Sequence, residues 1–90
     1  MSSCYIISFE VKSDATHTKV RERLKTYGGY CPINHTCWAV TSDKKPSEIR
    51  DEIGNVLEPG DRVFVIRSGT LAAWRNVYGD KNAEWLKKYL

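Results

Sequence analysis

Cys4-Tyr5-Ile6-Ile7-Ser8-Phe9-Glu10-Val11 decides the fold, because its side chains separate at a period of two. Tyr5, Ile7, Phe9 and Val11 form an apolar set, and Ile6, Ser8 and Glu10 form the other. Such a strand belongs in a sheet with helices over the apolar side and a more polar, open surface around Ser8 and Glu10.

Beyond it, Asp14 or Thr16 can accept backbone N–H bonds at a helix start. Val20, Leu24 and Tyr27 then recur at helical spacing until Gly28-Gly29. The outward positions Lys19, Arg21, Glu22, Arg23 and Lys25 are basic by majority. Residues 30–33 and 37–41 read as two arms of a hairpin joined by Asn34-His35-Thr36. Trp38 and Val40 share a face of the second arm, with Trp38 as a core anchor. Pro46 suits a first helical turn and Glu48 suits its positive end, while Ile49, Ile53 and Val56 or Leu57 make the buried stripe. Gly54 weakens that helix, which close packing would explain. Residues 62–67 alternate Val63, Val65 and Arg67 against Phe64 and Ile66, a last strand.

The element order is βαββαβ, the split βαβ arrangement, and right-handed crossovers put both helices on one face of a four-stranded antiparallel sheet. The expected class is α+β, ferredoxin-like. The core spans residues 4–67, and residues 70–90 form a helical tail within the same single domain. That tail opens with a turn or short helix holding Trp74. Asp80 is the expected cap of a closing helix with Trp85, Leu86, Tyr89 and Leu90. Its tryptophans argue that it docks on apolar surface, either its own sheet or a neighbouring subunit.

Ninety residues with 41% hydrophobic and 28% charged content fit one globular domain and exclude disorder. A chain of this size buries about 60–65% of its unfolded surface, so a partner subunit over an apolar face would add stability. The net charge of +3 permits a phosphate-bearing partner without demanding one. No signal-peptide pattern and no apolar run of about 20 residues is present, so the expected location is cytoplasmic, away from membranes. Cys4, Cys31 and Cys37 read as thiols, and Cys31, His35 and Cys37 lack the fourth ligand and spacing of a zinc knuckle.

Phosphate-binding, nucleophile-elbow and metalloprotease motifs are all missing, which removes most enzyme classes. His17 and His35 read as solvated surface histidines. Glu10 stands out, because it ends the first strand on the open face. If two sheets meet about a two-fold axis, two Glu10 carboxylates could share a divalent cation able to polarise a phosphodiester or activate water. The plainer reading pairs Glu10 with Lys12 or Arg67 on a half-exposed strand. Lys12, Arg21, Arg67 and Arg75 are candidate phosphate contacts. Ser68-Gly69-Thr70 reads as an ordinary turn rather than an anion site.

The stretch from Tyr5 to Val11 resembles the first strand of the small bacterial SinR family, within the CRISPR-associated Cas-two and VapD superfamily. Thr36-Cys37-Trp38-Ala39-Val40, Pro46-Ser47-Glu48-Ile49-Arg50 and Asp61-Arg62-Val63-Phe64-Val65-Ile66 are similar too. So are Gly69-Thr70-Leu71-Ala72-Ala73-Trp74 and the closing Glu84-Trp85-Leu86-Lys87-Lys88-Tyr89-Leu90. The resemblance implies a ferredoxin-like homodimer that binds RNA or DNA. It also implies a metal-dependent endoribonuclease activity, present in some relatives and lacking in others. Glu10 would be the catalytic and metal-ligating residue, with magnesium or manganese as cofactor. The family pattern has Asp there, so Glu10 moves a ligand oxygen by ~1.5 Å. A second class of function is a non-catalytic interaction module, an antitoxin or assembly subunit, that binds another protein through the sheet face and the tryptophan-bearing tail.

Overall fold

In a computed structural model that describes residues 2–69 and 72–90, the first strand, β1 (Ser3–Glu10), has hydrogen-bonded neighbours on both sides. It is followed by α1 (Asp14–Leu24), β2 (Gly29–Asn34), β3 (Cys37–Ser42), α2 (Pro46–Gly54), β4 (Arg62–Arg67) and α3 (Gly79–Tyr89). The sheet order is β2-β3-β1-β4 with every pair antiparallel. This is an α+β fold, and its strand order and helix placement are compatible with the ferredoxin-like arrangement. Pro32 cannot donate to a ladder, and it lies in the edge strand β2 beside a register irregularity between Pro32 and Asn34.

The period of β1 divides the molecule as its sequence demands. Tyr5, Ile7 and Phe9 are buried with Trp38 and Val40 of β3, Val20 and Leu24 of α1, and Ile49 and Ile53 of α2. Val11, Val56, Leu57, Val63 and Val65 pack around this core. Trp38 is therefore an anchor beneath the helices.

Local chemistry corrects several details of the sequence reading. Ser13 caps α1, its hydroxyl accepting from the Thr16 N–H at 3.1 Å, while Asp14 lies in the first turn. Ser13 outcompetes Asp14 and Thr16 because it has the extended backbone a cap requires. The Thr16 hydroxyl, fully buried, donates to Glu58 Oε1 at 2.6 Å and ties the helix start to the loop before β4. Helix α1 stops at Leu24, and Tyr27 beyond it turns inward so that its hydroxyl donates to Glu52 Oε1 at 2.6 Å. Lys44 forms an ion pair with the same carboxylate. On α2, Glu48 accepts from the Lys45 N–H at 2.9 Å. Gly54 is not closely packed: a Cβ there would meet nothing within 4 Å, so it simply closes the helix.

The second face of the sheet carries a second core. Leu86 of α3, 1% exposed, is buried with Cys4, Cys31 and Ala39, and Ile6, Ile33, Trp74, Val77, Trp85 and Leu90 pack around it. The tail thus docks on its own sheet. Gly29 permits that approach: a Cβ there would sit 2.6 Å from Thr41 Oγ1 and 3.4 Å from the Trp85 ring. Helix α3 starts from Tyr78, with Asp80 in its first turn rather than at the cap position, and Gly79 enters at φ 76°, which favours glycine. No helix forms over residues 72–78, and Thr70 and Leu71, where the expected turn begins, lie outside the described residues. Among the described residues no helix is long and apolar enough to cross a membrane.

Two measurements check this account. Leu86→Ala is expected to lower the unfolding free energy in urea by about 2–5 kcal/mol; a loss under ~0.5 kcal/mol, the size of an ordinary surface change, would show that α3 is not part of the cooperative unit. The Glu52 carboxyl is held below its ordinary value of 4.5, first by the Lys44 ammonium and then by the Tyr27 hydroxyl. The unfolded chain therefore binds more protons in that window. Its stabilisation is complete above pH 4.5 and is lost as pH falls through the depressed folded value. Glu52→Gln is expected to be less stable at pH 7, with a shallower loss of stability below pH 4.5. Parallel acid unfolding curves for the two proteins would contradict this.

Candidate functional site on the open half of the sheet

Helix α3 covers the half of the second face over β2 and β3, and the other half stays open. The register of β1 and β4 sets its composition: Ile6 pairs with Ile66, Ser8 with Phe64 and Glu10 with Arg62. Antiparallel partners share a face, so the apolar pair of β4 emerges beside Ser8 and Glu10. Phe64 is 61% exposed and Ile66 49%. Their exposure follows from topology: β4 is an edge strand, and the helix that could cover them lies over the opposite edge.

Ser8, Glu10, Asp61, Arg62 and Phe64 line a shallow hollow of about 680 Å³ at the end of this surface. The Glu10 carboxylate forms an ion pair with Arg62, and both side chains stand in solvent. The expected partners Lys12 and Arg67 are not the ones used, because neither lies opposite Glu10 in the register. Asp61 is occupied differently. Its Oδ1 accepts from the Lys12 N–H at 3.2 Å and its Oδ2 from the Glu58 N–H at 2.9 Å, which pins the loop behind the hollow.

A divalent metal does not fit these residues within one chain. Magnesium and manganese take oxygen ligands in a near-octahedral shell. Here one carboxylate already has a cationic partner and the other spends both oxygens on backbone N–H groups. Among the described residues no group of three or more His, Cys, Asp or Glu side chains could hold a metal ion. The thiols offer no nucleophile either, since burial pushes Cys4, Cys31 and Cys37 up from their ordinary value.

The four candidate phosphate contacts do not form one surface. Lys12 follows β1 and lies near the hollow, its ammonium against Gly60. Arg67 ends β4 five residues from Arg62, roughly 17 Å along the strand, and points to the other face. Arg21 sits on α1 in a cleft with His17 and His35, and Arg75 is exposed in the segment before α3. Sequence reasoning missed Arg62 and Phe64 as members of the site. The signal for Phe64 was present in the strict alternation of β4, but its exposure depends on where α3 lies.

Fold and site together define a small α+β protein of ferredoxin-like order with a half-covered sheet. Its uncovered half carries an exposed aromatic ring beside a carboxylate–guanidinium pair. The structure is similar to a crystal structure of a hypothetical protein, TT1823, from Thermus thermophilus, with a TM-score of 0.70 over 87% of this chain and 96% of that one. At 16% identity this likeness shows the fold alone. No protein-family model and no curated protein matches the sequence.

The ion pair itself is expected to matter little for folding. Arg62→Gln should change the unfolding free energy by no more than about 1 kcal/mol, as for other exposed pairs. A larger loss in a urea titration would mean that the pair organises the β1–β4 edge rather than decorating it.

Proposed function

We propose that the protein is a nucleic-acid-associated homodimer of the Cas-two-like type that takes a single strand on the open half of its sheet. One observation carries the reading: Phe64 stands 61% exposed in mid-strand, beside Arg62 and above the hollow. A large ring left in water at a strand centre is a surface waiting for a flat apolar partner, and an unstacked base is one. Stacking on an aromatic platform with guanidinium contact to the backbone binds single strands with little regard to sequence. Lys12 extends the basic margin of the hollow. A second copy of the chain over Ile66 would remove further apolar surface from water.

Endoribonuclease activity with magnesium or manganese belongs to the same proposal, on the resemblance alone. It requires two Glu10 carboxylates to meet across the dimer axis and leave Arg62, because the described residues of one chain do not supply a metal shell. The alternative is a non-catalytic interaction module, an antitoxin or assembly subunit. It would have to bind its partner protein through Phe64 and Ile66, since Trp74 and Trp85 are engaged on the chain's own sheet.

Fluorescence anisotropy with labelled single-stranded RNA and DNA tests the reading. A stacked base contributes about 1–3 kcal/mol, so Phe64→Ala is expected to weaken binding about tenfold or more. Glu10→Gln is expected to leave binding intact and to abolish cleavage with magnesium or manganese. Undetectable binding by the native protein, or equal binding by Phe64→Ala, removes the nucleic-acid reading. Cleavage unchanged in Glu10→Gln, or absent from both proteins, removes the catalytic one.

A further inference from the structure

On the helix side of the sheet, opposite Phe64, two histidines that are 18 residues apart in sequence meet face to face. The His17 ring on α1 and the His35 ring at the β2–β3 turn stack with centroids 4.0 Å apart and planes 14° apart. The contact is fixed by a hydrogen bond, His17 Nε2 donating to the His35 carbonyl at 2.7 Å. Phe9 supports the other side of His17, its ring centroid 5.6 Å away. Arg21 lies one helical turn beyond His17 on the same side of α1. His17, Arg21 and His35, with Pro32, Asn34, Trp38 and Tyr78, enclose a cleft of about 280 Å³.

Its chemistry is one-sided. Among the described residues, Arg21 brings a guanidinium to the rim and no carboxylate lines the cleft. The Arg21 guanidinium has neither an ion-pair nor a hydrogen-bond partner among the described residues. The Asn34 amide oxygen is spent on the Thr36 N–H at 3.0 Å, which leaves its NH₂ as a donor. Tyr78, 56% exposed, adds a flat ring at the mouth. The volume is at the small end of ligand pockets, enough for a phosphoryl group and one ring and too small for a folded polymer.

We propose that the cleft formed by His17, Arg21, Asn34, His35 and Tyr78 is a binding site for a phosphate monoester carried on a nucleoside. The Arg21 fork receives the phosphoryl oxygens, the His35 and Asn34 N–H groups complete their hydrogen bonding, and Tyr78 takes the base. Two sources present this chemistry, a free nucleoside 5′-monophosphate and the 5′-phosphorylated end of a strand. The site stands apart from the Phe64 platform, at the β2 edge of the sheet rather than the β4 edge, and does not depend on it.

The test titrates the full-length protein with adenosine 5′-monophosphate while following backbone amide shifts by nuclear magnetic resonance. In parallel, anisotropy compares a short RNA bearing a 5′-phosphate with its 5′-hydroxyl twin. The amides of residues 17, 21, 34 and 35 are expected to shift on addition of the nucleotide, and Arg21→Gln and His35→Ala to abolish the shifts with melting temperatures unchanged. If the strand end is the source, the phosphorylated RNA binds about tenfold more tightly, a difference of 1.4 kcal/mol, and Arg21→Gln erases the preference. Shifts with the nucleotide but no preference between the RNAs assign the free nucleotide instead. No shift together with no preference overturns the proposal, as does a preference that survives Arg21→Gln. Phe64→Ala should leave the nucleotide shifts in place, which separates failure of this site from failure of the strand platform.

Discussion

Strand β1 is bonded to a neighbour on each side, and the rest of the molecule depends on that position. With β3 on one flank and β4 on the other, its two-residue alternation cannot slip without turning every apolar side chain to the wrong face. Tyr5, Ile7 and Phe9 are therefore committed to the core beneath α1 and α2. Glu10 is committed, by the same parity, to the opposite surface, where Arg62 is its partner in register. The ion pair is a consequence of the register and not its cause, since two solvated side chains hold little free energy against a sealed core.

The second face follows from a smaller constraint. A sheet with helices on one side leaves its other side bare, and this chain covers only half of it. Gly29 allows Trp85 to approach β2, and Leu86 then closes over Cys4, Cys31 and Ala39. The covering helix reaches no further, so β4 presents an apolar pair that a helix on the other half would have buried. Half-coverage creates the candidate site: the same strand that supplies Val63 and Val65 to the core supplies Phe64 and Ile66 to solvent.

Much of the fold was legible because it rests on periodicity. The alternation of residues 5–11, the Val20–Leu24–Tyr27 and Ile49–Ile53 spacing, and the paired arms around Asn34-His35-Thr36 each give an element from local sequence. Less legible were features decided by competition or by distance. Ser13 rather than Asp14 caps α1 because of its backbone conformation, and Gly54 ends α2 without a packing reason. Arg62 could not be found as the partner of Glu10 without the β1–β4 register, which is set 52 residues away. His17 and His35 were separate surface residues in the sequence, and only the return of the hairpin tip to Phe9, through the Phe9 N–H to Thr36 carbonyl bond at 2.9 Å, brings them together.

The two candidate surfaces are chemically unlike although they sit at the same end of β1. Phe9 and Glu10 are consecutive, so they point to opposite faces. Phe9 supports the His17 ring from the helix side, where among the described residues no carboxylate lines the cleft and the Arg21 guanidinium stays unpaired. Glu10 stands on the open side, where its charge already neutralises Arg62. A phosphate approaching the first surface meets an unpaired guanidinium, whereas one approaching the second must compete with a carboxylate for the guanidinium. The exposed ring of Phe64 is consequently the stronger source of affinity on the open face, and charge is the stronger source in the cleft.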